Sequence, residues 1–233
     1  MYYYYYFSNY WYVLLSIIPF ILALIASIKV KNTYRKYSKI STKRGITGLD
    51  CAKYVLYSGG VNNVRIGQIS GEMTDHYNPK EEIINLSQGV YSSNSISAVG
   101  VAAHEAGHAL QYANDYMPIK IRTKILPLAN IGSSMGFYLA ILGIFLTFDP
   151  LVYIGIGLFF AFVLFELVTL PVEFNASHRA IKALRESGNF TEEEIYGARK
   201  VLTAAALTYV AALASALANL LRLVLIAKDN KRR

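Results

Sequence analysis

His104, Glu105 and His108 stand in the run "GVAAHEAGHALQ", residues 100–111, where every other side chain except the last is small or apolar. On an α-helix, positions i and i+4 share a face, so the two imidazoles can address one metal ion. Glu105 is turned about 100° from His104 around the helix axis, which sets it beside such an ion rather than on it. Two neutral imidazoles and a carboxylate that takes a proton from metal-activated water are the working parts of H-E-x-x-H hydrolysis. Zinc in a catalytic site takes three protein ligands and keeps a fourth position open. The third ligand must come from elsewhere in the chain.

Two other histidines, His76 and His178, and several acids are available. Glu173 is the strongest candidate, because it directly follows an apolar stretch that returns the chain to the side of the His104 helix. Glu166 is the alternative, seven residues earlier on nearly the same helical face, in apolar surroundings where a carboxylate is costly and usually functional. His178 is a further candidate, although a helix turns it away from the Glu173 face. Ser177, four residues after Glu173, shares that face and is placed either to orient a ligand or to let two helices approach. Asp75, His76 and Tyr77 fall at the turn of an expected hairpin. Either they terminate a strand there, or an extended peptide adds to the strand edge and His76 or Tyr77 donates to the developing oxyanion.

The elements that carry these residues are mostly oily. Of 233 residues 54 % are hydrophobic, with a mean hydropathy of +0.33, above the usual apolar share of roughly 45–50 % for soluble chains. Tyr10 to Ile28 carry no charge and come close to the ~20 residues that span a bilayer. The preceding "MYYYYYFSNYWY" resembles an interfacial aromatic belt. No basic stretch precedes this segment, so an uncleaved anchor is expected rather than a signal peptide. Lys29, Lys31, Arg35, Lys36, Lys39, Lys43 and Arg44 follow it, and the positive-inside rule assigns them to the cytoplasm. The net charge of +8 therefore reads as membrane orientation, and no nucleic-acid partner is expected. The single cysteine, Cys51, excludes an internal disulfide and a C-x-x-C site.

Between Thr47 and Pro127 the pattern is that of a small folded region. "TGLDCAKYVLYSGG" carries helix start and stop signals. "NNVRIGQIS" and "EEIINLSQGVY" alternate as strands do, and "GEMTDHYNPK" between them holds the turn dipeptide Asn78-Pro79. A hairpin of those two strands is expected ahead of the His104 helix. Apolar stretches at Leu128–Phe148 and Leu151–Val172 are separated only by Asp149-Pro150, which predicts a helical hairpin through the membrane. "GSSMG" at Gly132–Gly136 fits small-xxx-small packing. A last apolar stretch, Val201–Ala227, is interrupted by Asn219 and Arg222, and whether it crosses, bends back or packs against the other helices stays open. The expected fold is mainly α and integral to the membrane: three or four apolar helices with a small α+β catalytic region. Its segments are a 1–28 aromatic terminus and anchor, a 29–127 basic linker and H-E-x-x-H region, a 128–172 transmembrane hairpin, a 173–200 second catalytic helix, and a 201–233 apolar helix with a basic tail.

The blocks "MTDHYNP", "AVGVAAHEAGHALQ", "LPVEFNASHRA" and "VLTAAALTYVAAL" together resemble the YugP-type membrane zinc metallopeptidases, from about Gly48 to Leu217. That resemblance implies a gluzincin-like site, with His104, His108 and Glu173 on one zinc ion and Glu105 as base. "EFNAS" is also similar to the "EFxAD" block of the HtpX and CAAX prenyl protease group, with Ser177 where that group carries aspartate. His178 stands where the nearer family leads one to expect arginine. The function implied is a membrane-embedded, zinc-dependent endopeptidase that cuts peptides or membrane proteins at the cytoplasmic face of the cell membrane. A non-catalytic metal-binding scaffold or sensor is the rival reading, and a channel built around Glu166 a more distant one.

Overall fold

The computed structural model describes residues 2–230, with side chains from Tyr10 onward. The aromatic rings of the first nine residues and the last three residues of the basic tail lie outside that description. The chain divides into two compact units, Met1–Ser27 with Ile121–Leu170 and Thr208–Arg233, and Ile28–Lys120 with Pro171–Leu207.

Apart from the turn at 146–148, the first unit is helical in its described residues. It takes the beginning of α1 (Tyr2–Tyr37), most of α5 (Met117–Ile131), a π-turn at Gly132–Gly136, α6 (Phe137–Phe145), the first part of α7 (Asp149–Glu186) and the end of α8 (Glu192–Asn230). Among the described residues, four helical stretches, Tyr10–Tyr37, Met117–Phe145, Asp149–Glu186 and Glu192–Asn230, are long and apolar enough to cross a membrane. Their rings and aliphatic chains point outward, with Phe145 84 % exposed. Exposed apolar surface on this scale marks a lipid or protein contact.

The expected helical hairpin is present. Its two arms touch where side chains are absent: an added Cβ would meet Leu158 O at 2.1 Å from Gly132, Phe159 N at 2.7 Å from Gly136, and Val152 N at 2.6 Å from Gly143. An added Cβ at Gly155 would meet Ala140, so Gly132, Ala140 and Gly143 face Leu158, Gly155 and Val152 in turn, and the arms are antiparallel. "GSSMG" thus belongs to a contact between backbones, and the π-turn it forms is a common irregularity within longer helices. The last apolar stretch does not bend back: α8 runs unbroken from Glu192 to Asn230. Arg222, one of its two interruptions, donates from Nη1 to Ser16 Oγ at 3.1 Å.

The second unit is built around a buried cluster that includes Cys51, Val55, Ile84, Leu86, Val99, Ala106, Leu184 and Leu202. Helix α2 (Gly48–Ser58) opens on a capping box in which Thr47 and Asp50 satisfy each other's backbone N–H, as its sequence foretells. Burial pushes the Cys51 thiol far up, consistent with an inert filler.

The sheet departs from expectation. Strands β1 (Arg65–Ile69), β2 (His76–Asn78) and β3 (Ile83–Ser87) form one sheet in the order β1-β3-β2. β1 pairs with β3 in parallel, whereas a hairpin of these two was expected. The hairpin is instead β2 with β3, with Tyr77 opposite Ile84. The stretch read as a turn contains its own strand, and His76 and Tyr77 lie on β2. Asn78 explains the choice, because its Oδ1 accepts from the backbone N–H of Lys80 at 3.0 Å and of Glu81 at 3.4 Å. That Asx-type turn reverses the chain within a few residues, a cheaper loop to close than the longer link, residues 70–82, between β1 and β3. A short helix, α3 (Gln88–Tyr91), then leads to α4 (Ile96–Ala113), capped by Ser95 Oγ accepting from Ala98 N–H.

Candidate metal centre

His104, Glu105 and His108 all lie on α4, and the part of α7 that follows Leu170 packs against it. Contact is made at Gly107, where an added Cβ would stand 2.6 Å from Ala176 O. A side chain at 107 would force the helices apart. Helix propensity alone favours Gly107→Ala by about 1 kcal/mol, while overpacking of this kind costs about 1–3 kcal/mol. A net loss of stability is expected, read from denaturant unfolding in detergent; a gain would mean that the helices are free to separate.

With the helices so close, Glu173 enters the α4 face. Its Oε2 lies 3.1 Å from His104 Nε2 and 3.6 Å from His108 Nε2. One ligand atom from each of these three residues falls within 4.8 Å of the others. For comparison, two ligands of a tetrahedral zinc at 2.0–2.1 Å stand about 3.3 Å apart. The donor set, spacing and burial therefore fit a zinc-like divalent ion. The two rings meet edge to face, centroids 4.7 Å apart. Burial by itself would lower the His108 pKa, but the hydrogen bond to Glu173, the charges of Glu105 and Glu173, and Gln111 outweigh it. The ring is held above the usual imidazole value.

Each ring is also held from behind. His104 Nδ1 shares a hydrogen bond with Ser177 Oγ at 3.1 Å, so Ser177 faces the histidine that its position on the Glu173 face suggested. His108 Nδ1 lies 3.0 Å from Gln111 Oε1. Gln111 was not singled out from the sequence, although it sits three residues after His108 on the same helix. It is fully buried, and its Nε2 donates to Val172 O at 2.8 Å and to Asn175 Oδ1 at 3.0 Å.

Glu105 is buried on the neighbouring face of α4. Its Oε2 accepts the backbone N–H of Tyr77 at 2.9 Å, a contact between β2 and the H-E-x-x-H helix that residue types could not disclose. The Tyr77 ring packs on Tyr112, centroids 5.6 Å apart, and burial, with Glu82 and Tyr112 nearby, raises its hydroxyl pKa. His76 is exposed, its Nδ1 2.8 Å from Thr74 O and its Nε2 3.1 Å from Asn85 Nδ2. Asp75 fastens the strand end by accepting from the N–H and hydroxyl of Ser87.

His178 and Glu166 are not among the three grouped ligand residues. His178 is exposed on α7 and lines a cleft of about 320 Å³ with Ser177, Arg199 and Thr203 among others. Glu166 is half-buried and belongs to the other unit. Among the described residues, His104, His108 and Glu173 are the grouping of metal-ligating side chains.

Comparison with known proteins agrees with this chemistry. Residues 12–228 match the family described as "Putative neutral zinc metallopeptidase". The chain is 43 % identical over 215 residues to the "Putative membrane protease YugP" of Bacillus subtilis (strain 168), covering 92 % of this chain and 96 % of that protein. No solved structure matches. With a family match over nearly its whole length and a relative this similar, the chain belongs to the neutral zinc metallopeptidase family that includes the membrane protein YugP.

Proposed function

We propose that this protein is a multi-pass membrane endopeptidase with one zinc ion held by His104, His108 and Glu173, and with Glu105 as general base. The observation that carries the reading is the convergence of the two Nε2 atoms on Glu173 Oε2, with the Glu105 carboxylate one helix position away. His104, His108 and Glu173 would hold the ion, which when bound would supply Lewis acidity toward a scissile carbonyl and an attacking water whose pKa is lowered to about 7. Glu105 takes the proton from that water and delivers it to the leaving amine. The Tyr77 N–H steadies the carboxylate through Oε2, so it need not search rotamers during the reaction. Ser177 orients His104.

β2 is an edge strand and its residue Tyr77 already touches Glu105. An extended peptide, or an unwound segment of a membrane protein, laid along this edge would bring its carbonyl beside Glu105 and the three ligand residues. His76 and Tyr77 are the side chains placed there to meet substrate, and His178 lines the neighbouring cleft. The Lys/Arg cluster that follows the first apolar stretch favours a site on the cytoplasmic face.

The test is cleavage of a panel of unstructured peptides by the purified, detergent-solubilised protein. Chelation is expected to abolish cleavage, and one equivalent of zinc to restore it. Cleavage indifferent to metal, or none by fully loaded protein on any peptide, would remove the proposal.

A further inference from the structure

Gln111 occupies a fully buried position with no part in substrate contact, yet every polar atom of its amide is committed. The commitment has a direction that can be traced from a group whose role is invariant. Arg179 donates from Nε to Asn175 Oδ1 at 2.8 Å, and an arginine never accepts. Asn175 therefore presents oxygen at that point. The same oxygen lies 3.0 Å from the Gln111 amide, and the backbone carbonyl of Val172 lies 2.8 Å from it. Both neighbours are acceptors, so the Gln111 atom between them is the NH₂ group. A flipped amide would set oxygen against two oxygens. What remains is Gln111 Oε1, and it faces His108 Nδ1 at 3.0 Å. A carbonyl oxygen can only accept, so His108 carries a proton on Nδ1, and in the neutral ring the lone pair is then on Nε2, on the Glu173 side.

We infer that Gln111 is a positioning residue that locks His108 in the Nδ1–H tautomer and so selects Nε2 as the atom offered to the metal. The inference rests on the metal-centre reading above, but the tautomer it assigns exists without metal. The two ligand histidines are thereby held differently. Ser177 behind His104 is a hydroxyl, which can donate or accept and imposes no tautomer. His108 is the preset ligand, and His104 adjusts. Carboxylates and backbone carbonyls commonly serve behind metal-bound histidines, and their loss costs roughly 10–100-fold in metal affinity. Here a neutral amide does this work without adding a charge to the buried site.

The test uses full-length protein with ¹⁵N-labelled histidine and the variants Gln111→Met and Gln111→Glu. Metal-free wild type is first read by NMR at a pH where imidazoles are neutral. His108 is expected as the Nδ1–H tautomer, and finding Nε2–H overturns the inference whatever the variants do. Gln111→Met, which keeps the volume and loses the acceptor, is expected to mix the tautomers and weaken zinc binding roughly 10–100-fold. Gln111→Glu restores an acceptor, so its zinc affinity is expected within a few-fold of wild type even if it unfolds at a lower temperature. A packing role predicts instead that zinc affinity follows stability in both variants, and that result refutes the assignment. Should wild type show the expected tautomer yet take up no zinc, the metallopeptidase reading fails while the Gln111 assignment stands.

Discussion

Glu105→Gln is expected to purify with its full zinc content and to cleave peptides about 10²–10⁴-fold more slowly than wild type, the range a positioned acid–base group supplies. The substitution keeps volume and an oxygen that can still accept from Tyr77 N–H, so β2 should stay docked on α4. What it loses is basicity. An amide cannot take a proton from water, and the amine then leaves without its proton donor. Because Glu105 is not among the three converging ligand atoms, metal content should not change, and paired zinc analysis and peptide-cleavage rates read both quantities on one sample. The scaffold or sensor reading predicts a cellular function untouched by this change. Loss of zinc in the variant would show that Glu105 holds the ion rather than the proton.

Glu173→Ala should have the opposite signature, with metal and activity lost together. Glu173 is 3 % exposed, and its carboxylate faces both Nε2 atoms. Removing it takes away the anionic ligand and leaves the buried imidazole of His108 and the half-buried one of His104 short of a partner, at about 1–3 kcal/mol for a buried polar group left unsatisfied. The fall in zinc affinity should exceed the roughly 10–100-fold that outer partners of a site cost, measured by competition with a chromogenic chelator. Glu166→Gln is the control, because Glu166 lies outside the cluster and should leave zinc affinity unchanged. Full zinc stoichiometry in Glu173→Ala would move the third ligand elsewhere, and loss of zinc in Glu166→Gln would say where.

Much of this architecture is legible in residue order because the signals are local. The i, i+4 spacing of His104 and His108 puts them on one face of whatever helix they form, and Ser95 and Thr47 are caps before any tertiary contact exists. Four apolar stretches of sufficient length are a property of composition. The nearness of Ser177 to His104 likewise follows from a shared face with Glu173, given that Glu173 meets α4.

Strand pairing was not legible. Alternation in "NNVRIGQIS" and "EEIINLSQGVY" reports that each is extended, and says nothing of direction. The Asn78 turn decided that β2 takes the antiparallel side of β3 and leaves β1 the parallel one. A three-residue strand such as His76–Asn78 is too short for periodicity to reveal.

The chain's order alone settles which residue types can do hydrolytic chemistry and which helical face carries two of them, since a helix converts sequence separation into direction. Only the folded molecule decides how far Glu173 stands from the imidazoles, which backbone N–H holds Glu105, and that Gln111 stands behind His108. Those outcomes depend on two helices meeting at Gly107 with no side chain between them, and such a distance belongs to packing rather than to any spacing along the chain.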